Sequence, residues 1–287
     1  MKINTTIINN IKNNIFYRSQ AAIEDYHNFD WHKNKIGIPD TDKINSSQAL
    51  TIDFWGCLRN SPEKDKIINY LFNRDEYDWD IKFEYTEKEL LNEPKPTQID
   101  VLLVSTKNAI VIESKFKERD GGGCSQINRN KKGYRQCNGN YEEQVNPINN
   151  IKSKCALTGK GINYWVYINT LTAFNSMNNY TPCPFKSGEY QWMRNFCFAE
   201  AYSQKHKKET ESYLVYYKSE KCSISKKVKE NIYLGKLKGN IINKDSFKPI
   251  SYNDLVSNII LFLTYNKVER NIWIELQKWI ANKESKL

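Results

Sequence analysis

Hydrophobic and polar residues alternate along the chain in a pattern that predicts a central group of strands. Three runs rich in β-branched and aromatic residues, at 81–86, 99–105 and 109–116, predict three consecutive strands. A short polar turn at 106–108 separates the last two runs, which predicts a hairpin. Both strands of this hairpin are apolar on both faces, so we expect them to be covered on both sides.

Apolar residues recur at helical spacing on either side of this group. Ser46 is a good N-cap and Pro62 is typical of a first helical turn, so each of them predicts the start of a helix. The predicted helices are 46–55, 62–73, about 190–203, 252–264 and 270–283. Two further apolar runs, 163–169 and 212–218, predict additional strands.

These elements together predict an α/β (α+β) fold in which helices flank a central mixed β-sheet. The chain contains no internal repeat and no long linker, so we expect residues 1–287 to form one domain. Within it, a helical segment over about 1–75 and helices over about 252–287 elaborate the two ends.

The chain carries 43 Lys and Arg against 33 Asp and Glu, a net charge of +10. This sign suits a polyanionic partner, although a lysine-rich composition alone would also produce it. No apolar run approaches the ~18 residues that span a bilayer, and the first residues do not resemble a secretory signal. We therefore expect a cytoplasmic protein that does not bind membranes.

Seven cysteines occur without a CxxC pair, the compact spacing of most structural zinc sites. They are expected to be free thiols. The alternative is a zinc ion or an iron–sulfur cluster held by Cys124, Cys137, Cys155 and Cys183.

Asp100, Glu113 and Lys115 are the only charged residues in the two apolar strands of the hairpin. Residues 113 and 115 lie on one face of their strand, and the hairpin brings Asp100 within about two residue pairs of Glu113. Charges are rarely buried in central strands unless they are paired or bind metal. Converging carboxylates and a lysine suit metal-assisted phosphodiester hydrolysis. The alternative is that all three lie at solvated strand ends.

The sequence Gln98-Ile99-Asp100, followed by Ile112-Glu113-Ser114-Lys115, resembles the core motif of the PD-(D/E)XK nuclease superfamily. The leading proline of the motif is displaced, because Pro96 lies four residues before Asp100. The runs at 46–50, 83–85 and 190–195 extend the resemblance, in order, to a branch of bacterial restriction endonucleases. This resemblance implies a restriction-endonuclease-like core.

The resemblance also implies an endonuclease that hydrolyses DNA with Mg²⁺ or Mn²⁺, in restriction or phage defence. Asp100 and Glu113 would bind the metal, and the main-chain carbonyl of Ser114 would complete its ligands. Lys115 would orient or activate the attacking water. Such enzymes commonly pair two active sites, so a homodimer and a partner protein of a defence system are further expectations.

Glu84 is the best candidate for an additional catalytic acid, because superfamily members often add one from an earlier helix or strand. The alternative is an edge-strand carboxylate that faces water. Glu24, Asp53 and Glu87 are rivals for the same role.

Five residues are candidates for contacts with nucleic acid. Gln144 resembles a glutamine found after the lysine strand in some superfamily branches. Gln191, Arg194 and Asn195 share one face of a predicted helix, and Lys117 begins a basic, glycine-rich connection after the hairpin. A solvated loop or helix face is the alternative for each of them.

Two other classes of function remain open. The chain could be a non-catalytic nucleic-acid-binding module on the nuclease fold, or a DNA-binding protein stabilised by zinc at the scattered cysteines. The three histidines, His27, His32 and His206, are not spaced as a metal site requires, and we expect His27 and His32, which lie near Tyr26, Phe29 and Trp31, at packing or surface positions.

Overall fold

The computed structural model describes residues 3–127, 157–171, 188–229 and 248–286. Within these ranges the chain forms an open sheet of five strands with helices packed against it. The strands are β1 (Asp80–Thr86), β2 (Gln98–Val104), β3 (Asn108–Lys115), β4 (Glu209–Tyr216) and β5 (Lys248–Ser251).

The strands are ordered β1-β2-β3-β4-β5 across the sheet. The first three pair antiparallel, whereas β3, β4 and β5 pair parallel, so the predicted mixed sheet and its hairpin are confirmed. Val101 of β2 pairs with Ile112 of β3, and one further step in this register places Asp100 opposite Glu113. Every residue of β3 is buried, as expected for a strand covered on both faces.

Helices precede, interrupt and follow the strands. Among the described residues they are α1 (Thr5–Asn13), α2 (Ser47–Arg59), α3 (Lys64–Phe72), α4 (Tyr164–Leu171), α5 (Tyr190–His206), α6 (Ser223–Lys229), α7 (Tyr252–Phe262) and α8 (Lys267–Ser285). The predicted helices on both sides of the sheet and at the C-terminal end are confirmed. None of the described helices is long and apolar enough to span a membrane.

Helices α2 and α5 lie on opposite faces of the sheet. Thr51 of α2 donates a hydrogen bond to the Ser114 hydroxyl over 2.6 Å. Asn195 of α5 donates to Glu113, also over 2.6 Å. Consecutive residues of a strand point to opposite faces, so the acidic side chain of β3 belongs to the face that α5 covers.

The N-terminal segment packs on the outer side of α2. Its residues Ile11, Ile15, Ile23 and Trp31 form a small hydrophobic cluster with Ile52 of α2. Helix α2 therefore has apolar neighbours on both sides, and all its residues from Gln48 to Leu58 are buried.

The predicted strand at 163–169 is wrong, because this segment forms α4. Tyr164 and Ile168, one helical turn apart, are both 1% exposed, whereas Val166 between them is 63% exposed. This pattern has the period of a helix, and the packing of α4 against α5 overrides the β-propensity of an aromatic, β-branched run. The sequence also did not predict β5 and α6.

Candidate functional site

Asp100 and Glu113 meet across the β2–β3 hairpin at the edge of a cleft. The backbone N–H of Ser114 donates a 2.7 Å hydrogen bond to Oδ2 of Asp100, which fixes this carboxylate beside β3. Asp100, Glu113 and Lys115 all line the cleft, whose volume is about 910 Å³. The three charged residues of the hairpin therefore share one site.

Glu113 is buried but has a partner on each oxygen. The ammonium group of Lys115 pairs with Oε1, and the Asn195 amide donates to Oε2 over 2.6 Å. Burial alone would raise the pKa of Glu113, but Lys115, Asn195 and Arg194 together bring it below its usual value. Glu113 is thus held ionised at neutral pH.

Lys115 stays protonated because two carboxylates lie beside its ammonium group. Burial alone would lower its pKa, but the negative charges of Glu113 and Asp100 raise it above the usual value. The side chain therefore presents an ammonium group to the cleft.

The pKa of Asp100, unlike that of Glu113, is raised. Burial, followed by the charge of Glu113, raises its pKa well above the usual range, against the lowering effect of Lys115. The side chain is surrounded by protein but keeps partial exposure to the cleft. A second positive charge near Asp100 would offset this repulsion between carboxylates.

Glu84 of β1 lies beside Asp100. Its neighbours Phe83 and Tyr85 pair with residues on either side of Asp100, while Glu84 itself has a φ of 48°, in the left-handed region that costs a non-glycine residue energy. The Glu84 side chain is only 5% exposed, so it does not face water. Its Oε1 accepts a 2.6 Å hydrogen bond from the buried amide of Gln48.

His32 is the residue of this site that sequence reasoning missed. Its Nε2 lies 3.3 Å from Oε1 of Glu84, and the potential ligand atoms of His32, Glu84 and Asp100 lie within 4.8 Å of one another. Burial alone would lower the pKa of His32, but the hydrogen bond and charge of Glu84 raise it to about 9. No local motif marks this histidine, because only the fold brings its segment to β1.

The rival acids lie elsewhere. Glu24 pairs with Arg59, and Asp53 forms a buried ion pair with Lys283. Glu87 pairs with a lysine and a histidine near the end of α5. None of the three lines the cleft.

The residues predicted on one face of α5 occupy two environments. Gln191 and Arg194 are half-buried and line the cleft. The Arg194 guanidinium lies 5.5 Å from the centre of the Tyr190 ring, a cation–π distance. Asn195 is instead buried behind Glu113.

Lys117 is exposed and lines a second cleft of about 760 Å³. His32, Ser47 and Glu118 line both clefts, which are therefore contiguous. Gln144 lies outside the described residues.

The glycine-rich connection after β3 fixes the start of α5. The carbonyl of Gly121 accepts a hydrogen bond from the backbone of Gln191, and the Gly121 N–H donates to Gly188 over 2.7 Å. A Cβ at position 121 would lie 2.8 Å from the Gly188 carbonyl oxygen, closer than such atoms approach. The absence of a side chain thus allows this contact.

The described cysteines do not contribute to the site. Cys57, Cys197 and Cys222 are buried free thiols, and Cys124 is half-buried. Cys137, Cys155 and Cys183 lie outside the described residues, so a cysteine metal site stays a prediction.

Comparison with known proteins identifies a family for this chain. No curated protein and no solved structure matches it. A family model does match, over residues 2–268, a range that includes the hairpin, α2 and α5. The chain belongs to the REase-ARP family, described as Restriction Endonuclease associating with ARP.

Proposed function

We propose that this protein is a metal-dependent endonuclease of the PD-(D/E)XK type that hydrolyses phosphodiester bonds in DNA. The observation that carries the proposal is the convergence of Asp100, Glu113 and Lys115 at one cleft, with the two carboxylates opposed across the hairpin. Membership of a restriction endonuclease family supports the same chemistry.

The donor set fits Mg²⁺ or Mn²⁺. Asp100, Glu113 and the Ser114 carbonyl are oxygen donors, which both ions prefer, and Glu84 places a third carboxylate next to Asp100. A divalent cation would also offset the repulsion that raises the pKa of Asp100. When bound there, such an ion supplies Lewis-acid stabilisation of the charge that develops on the phosphate oxygens.

Lys115 acts as a hydrogen-bond donor and a fixed positive charge. Its ammonium group pairs with Glu113 and lines the cleft, where it orients water and stabilises developing negative charge. Asn195 holds Glu113 in place from the opposite side of that carboxylate.

DNA is the substrate that the surroundings of the site favour. Gln191 and Arg194 lie in the catalytic cleft, and lysines line the contiguous second cleft, including Lys117. These groups suit contacts with the phosphate backbone. The family description names an association with ARP, which supports a partner protein for this chain as well.

The test is cleavage of supercoiled plasmid by purified protein with Mg²⁺ or Mn²⁺. The informative variants are Asp100→Asn and Lys115→Met, and the matched control is Glu87→Gln, which alters a carboxylate outside the cleft. Removing one preorganised stabilising group lowers the rate by about 10²- to 10³-fold in enzymes of known mechanism. We expect losses of at least this size in both variants, and none in the control.

Two further measurements separate catalysis from binding. EDTA should abolish cleavage, and Asp100→Asn, which leaves the buried Lys115–Glu113 ion pair intact, should retain its affinity for a DNA duplex and its thermal stability. Cleavage that survives both EDTA and Asp100→Asn would contradict the proposal. Binding of DNA without cleavage of plasmid, single-stranded DNA or RNA would favour a non-catalytic binding module.

A further inference from the structure

His32 is held beside the acidic site by contacts on both sides of its backbone. The preceding residue, Trp31, is 2% exposed and anchors the segment in the small N-terminal cluster. The His32 N–H donates to the Gln48 side chain over 2.9 Å, and its carbonyl accepts from the backbone of Asp40 over 3.0 Å. The imidazole is 42% exposed, but these contacts fix the backbone that carries it.

The three side chains of His32, Glu84 and Asp100 converge closely enough to share one ion. Their potential ligand atoms lie within 4.8 Å of one another. Three ligands spaced evenly at about 2.1 Å from a common ion lie about 3–4 Å apart, so shifts of less than about 1 Å bring all three into reach. Imidazole nitrogen and carboxylate oxygen are both common ligands of divalent metals.

Glu84 provides an independent sign of a missing partner. Its side chain is 95% shielded from solvent, and its Oε1 contacts Gln48 and His32. Its other oxygen, Oε2, is buried and has no hydrogen-bond partner among the described residues. A buried carboxylate oxygen without a partner is unfavourable, and a cation would satisfy it.

We propose that His32 is a nitrogen ligand of the catalytic cation, which it binds together with Glu84 and Asp100. This inference rests on the proposed metal-dependent nuclease and adds to it the choice of metal. A nitrogen donor strengthens the binding of Mn²⁺ more than that of Mg²⁺, because Mg²⁺ prefers an all-oxygen shell. The site therefore selects Mn²⁺ over Mg²⁺.

The test is pulsed electron paramagnetic resonance of the full chain, without an affinity tag, loaded with Mn²⁺. The chain contains only three histidines, so each can be removed in turn. We expect histidine nitrogen modulation of the Mn²⁺ signal in the wild type, its loss in His32→Ala, and its retention in His27→Ala, which alters an exposed histidine. Calorimetry should show Mn²⁺ affinity falling by at least about 10- to 100-fold in His32→Ala, because losing even a residue that only supports a metal ligand costs this much. Mg²⁺ affinity should fall less.

A second protein keeps the test independent of the stability of His32→Ala. The double variant His27→Ala and His206→Ala retains His32 as the only histidine, and ¹⁵N-histidine labelling should change its modulation frequency. Mn²⁺ that binds, is lost in Asp100→Asn, and shows no histidine modulation would overturn the role of His32 but leave the nuclease proposal intact. Absence of Mn²⁺ binding to the wild type would overturn the role of His32, and absence of both Mn²⁺ and Mg²⁺ binding would overturn the nuclease proposal as well.

Discussion

The buried ion pair between Asp53 of α2 and Lys283 of α8 should contribute strongly to the stability of the fold. The two charged atoms are 2.5 Å apart, and their side chains are 0% and 2% exposed. The Asp53 carboxylate also accepts hydrogen bonds from the Phe16 backbone and the Trp279 indole, at 2.6 and 3.1 Å. Lys283 donates in addition to the backbone carbonyl of Asn14.

Replacing Lys283 by Met keeps most of the aliphatic volume but leaves the Asp53 carboxylate buried without its cation. Removal of one partner from a buried pair costs about 3–5 kcal/mol. We expect a loss of this size in the free energy of unfolding at neutral pH. The double variant Asp53→Asn, Lys283→Met should recover more than half of it, because a neutral amide still accepts the Phe16 hydrogen bond.

The dependence on pH has a defined sign. Burial raises the pKa of Asp53 even with Lys283 present, and removing Lys283 raises it further. A carboxyl whose pKa is higher in the folded state than in the unfolded state favours folding when protonated, and this contribution is lost as the pH rises through the folded-state pKa. The deficit of Lys283→Met should therefore shrink as the pH falls from about 8 to about 5.

Urea unfolding followed by tryptophan fluorescence measures these differences. Lys278→Met, which removes an exposed lysine from the same helix, is the control and should change stability by less than about 1 kcal/mol. A deficit for Lys283→Met no larger than that of the control, or one that grows as the pH falls, would refute the reasoning.

Three further predictions concern the site. Asn195→Leu leaves one Glu113 oxygen without its donor, and since hydrogen bonds to charged groups contribute about 1.5–3 kcal/mol, single-turnover cleavage should slow by about tenfold or more; an unchanged rate would remove Asn195 from the catalytic machinery. Arg194→Ala should weaken DNA binding similarly for all sequences and reduce the salt dependence by about one charge, measured by fluorescence anisotropy across a salt series; a loss confined to one sequence would indicate base recognition instead. Gly121→Ala places a Cβ 2.8 Å from the Gly188 carbonyl oxygen, so it should lower the melting temperature and the cleavage rate together. A stable and active variant would show that the backbone at Gly188 can shift to make room for the Cβ.

The hairpin was predictable because its signals are local. Two apolar runs and a polar turn define β2 and β3, and the period of two residues places Glu113 and Lys115 on one face. The observed register then sets Asp100 opposite Glu113, within the predicted two residue pairs. The pairing of Asp100, Glu113 and Lys115 at one point therefore followed from the sequence.

The sequence does not predict the elements whose structure is determined by contacts between distant segments of the chain. The short run at 163–169 has the composition of a strand, but Tyr164 and Ile168 bury one helical face beneath α5. Strand β5 has only four residues and is defined by its parallel pairing with β4, which no local sequence pattern indicates. The aromatic residues near His32 indicate a packing or surface position in the sequence, whereas the fold brings its imidazole to Glu84.

Helix α2 explains why the N-terminal segment belongs to the site. Gln48 holds Glu84 and the backbone of His32, Thr51 binds the Ser114 hydroxyl, and Asp53 binds α8 through Lys283. One buried helix therefore connects the acidic cluster, strand β3 and the C-terminal helix. The hairpin provides Asp100 and Glu113, but the position of Glu84 depends on Gln48, because an acidic side chain at a strained backbone position needs a fixed partner to keep its orientation. The match to the family, from residue 2 to residue 268, accordingly covers α2, the hairpin and the acidic cluster, well beyond the short motif of the hairpin, and ends before Lys283 of α8.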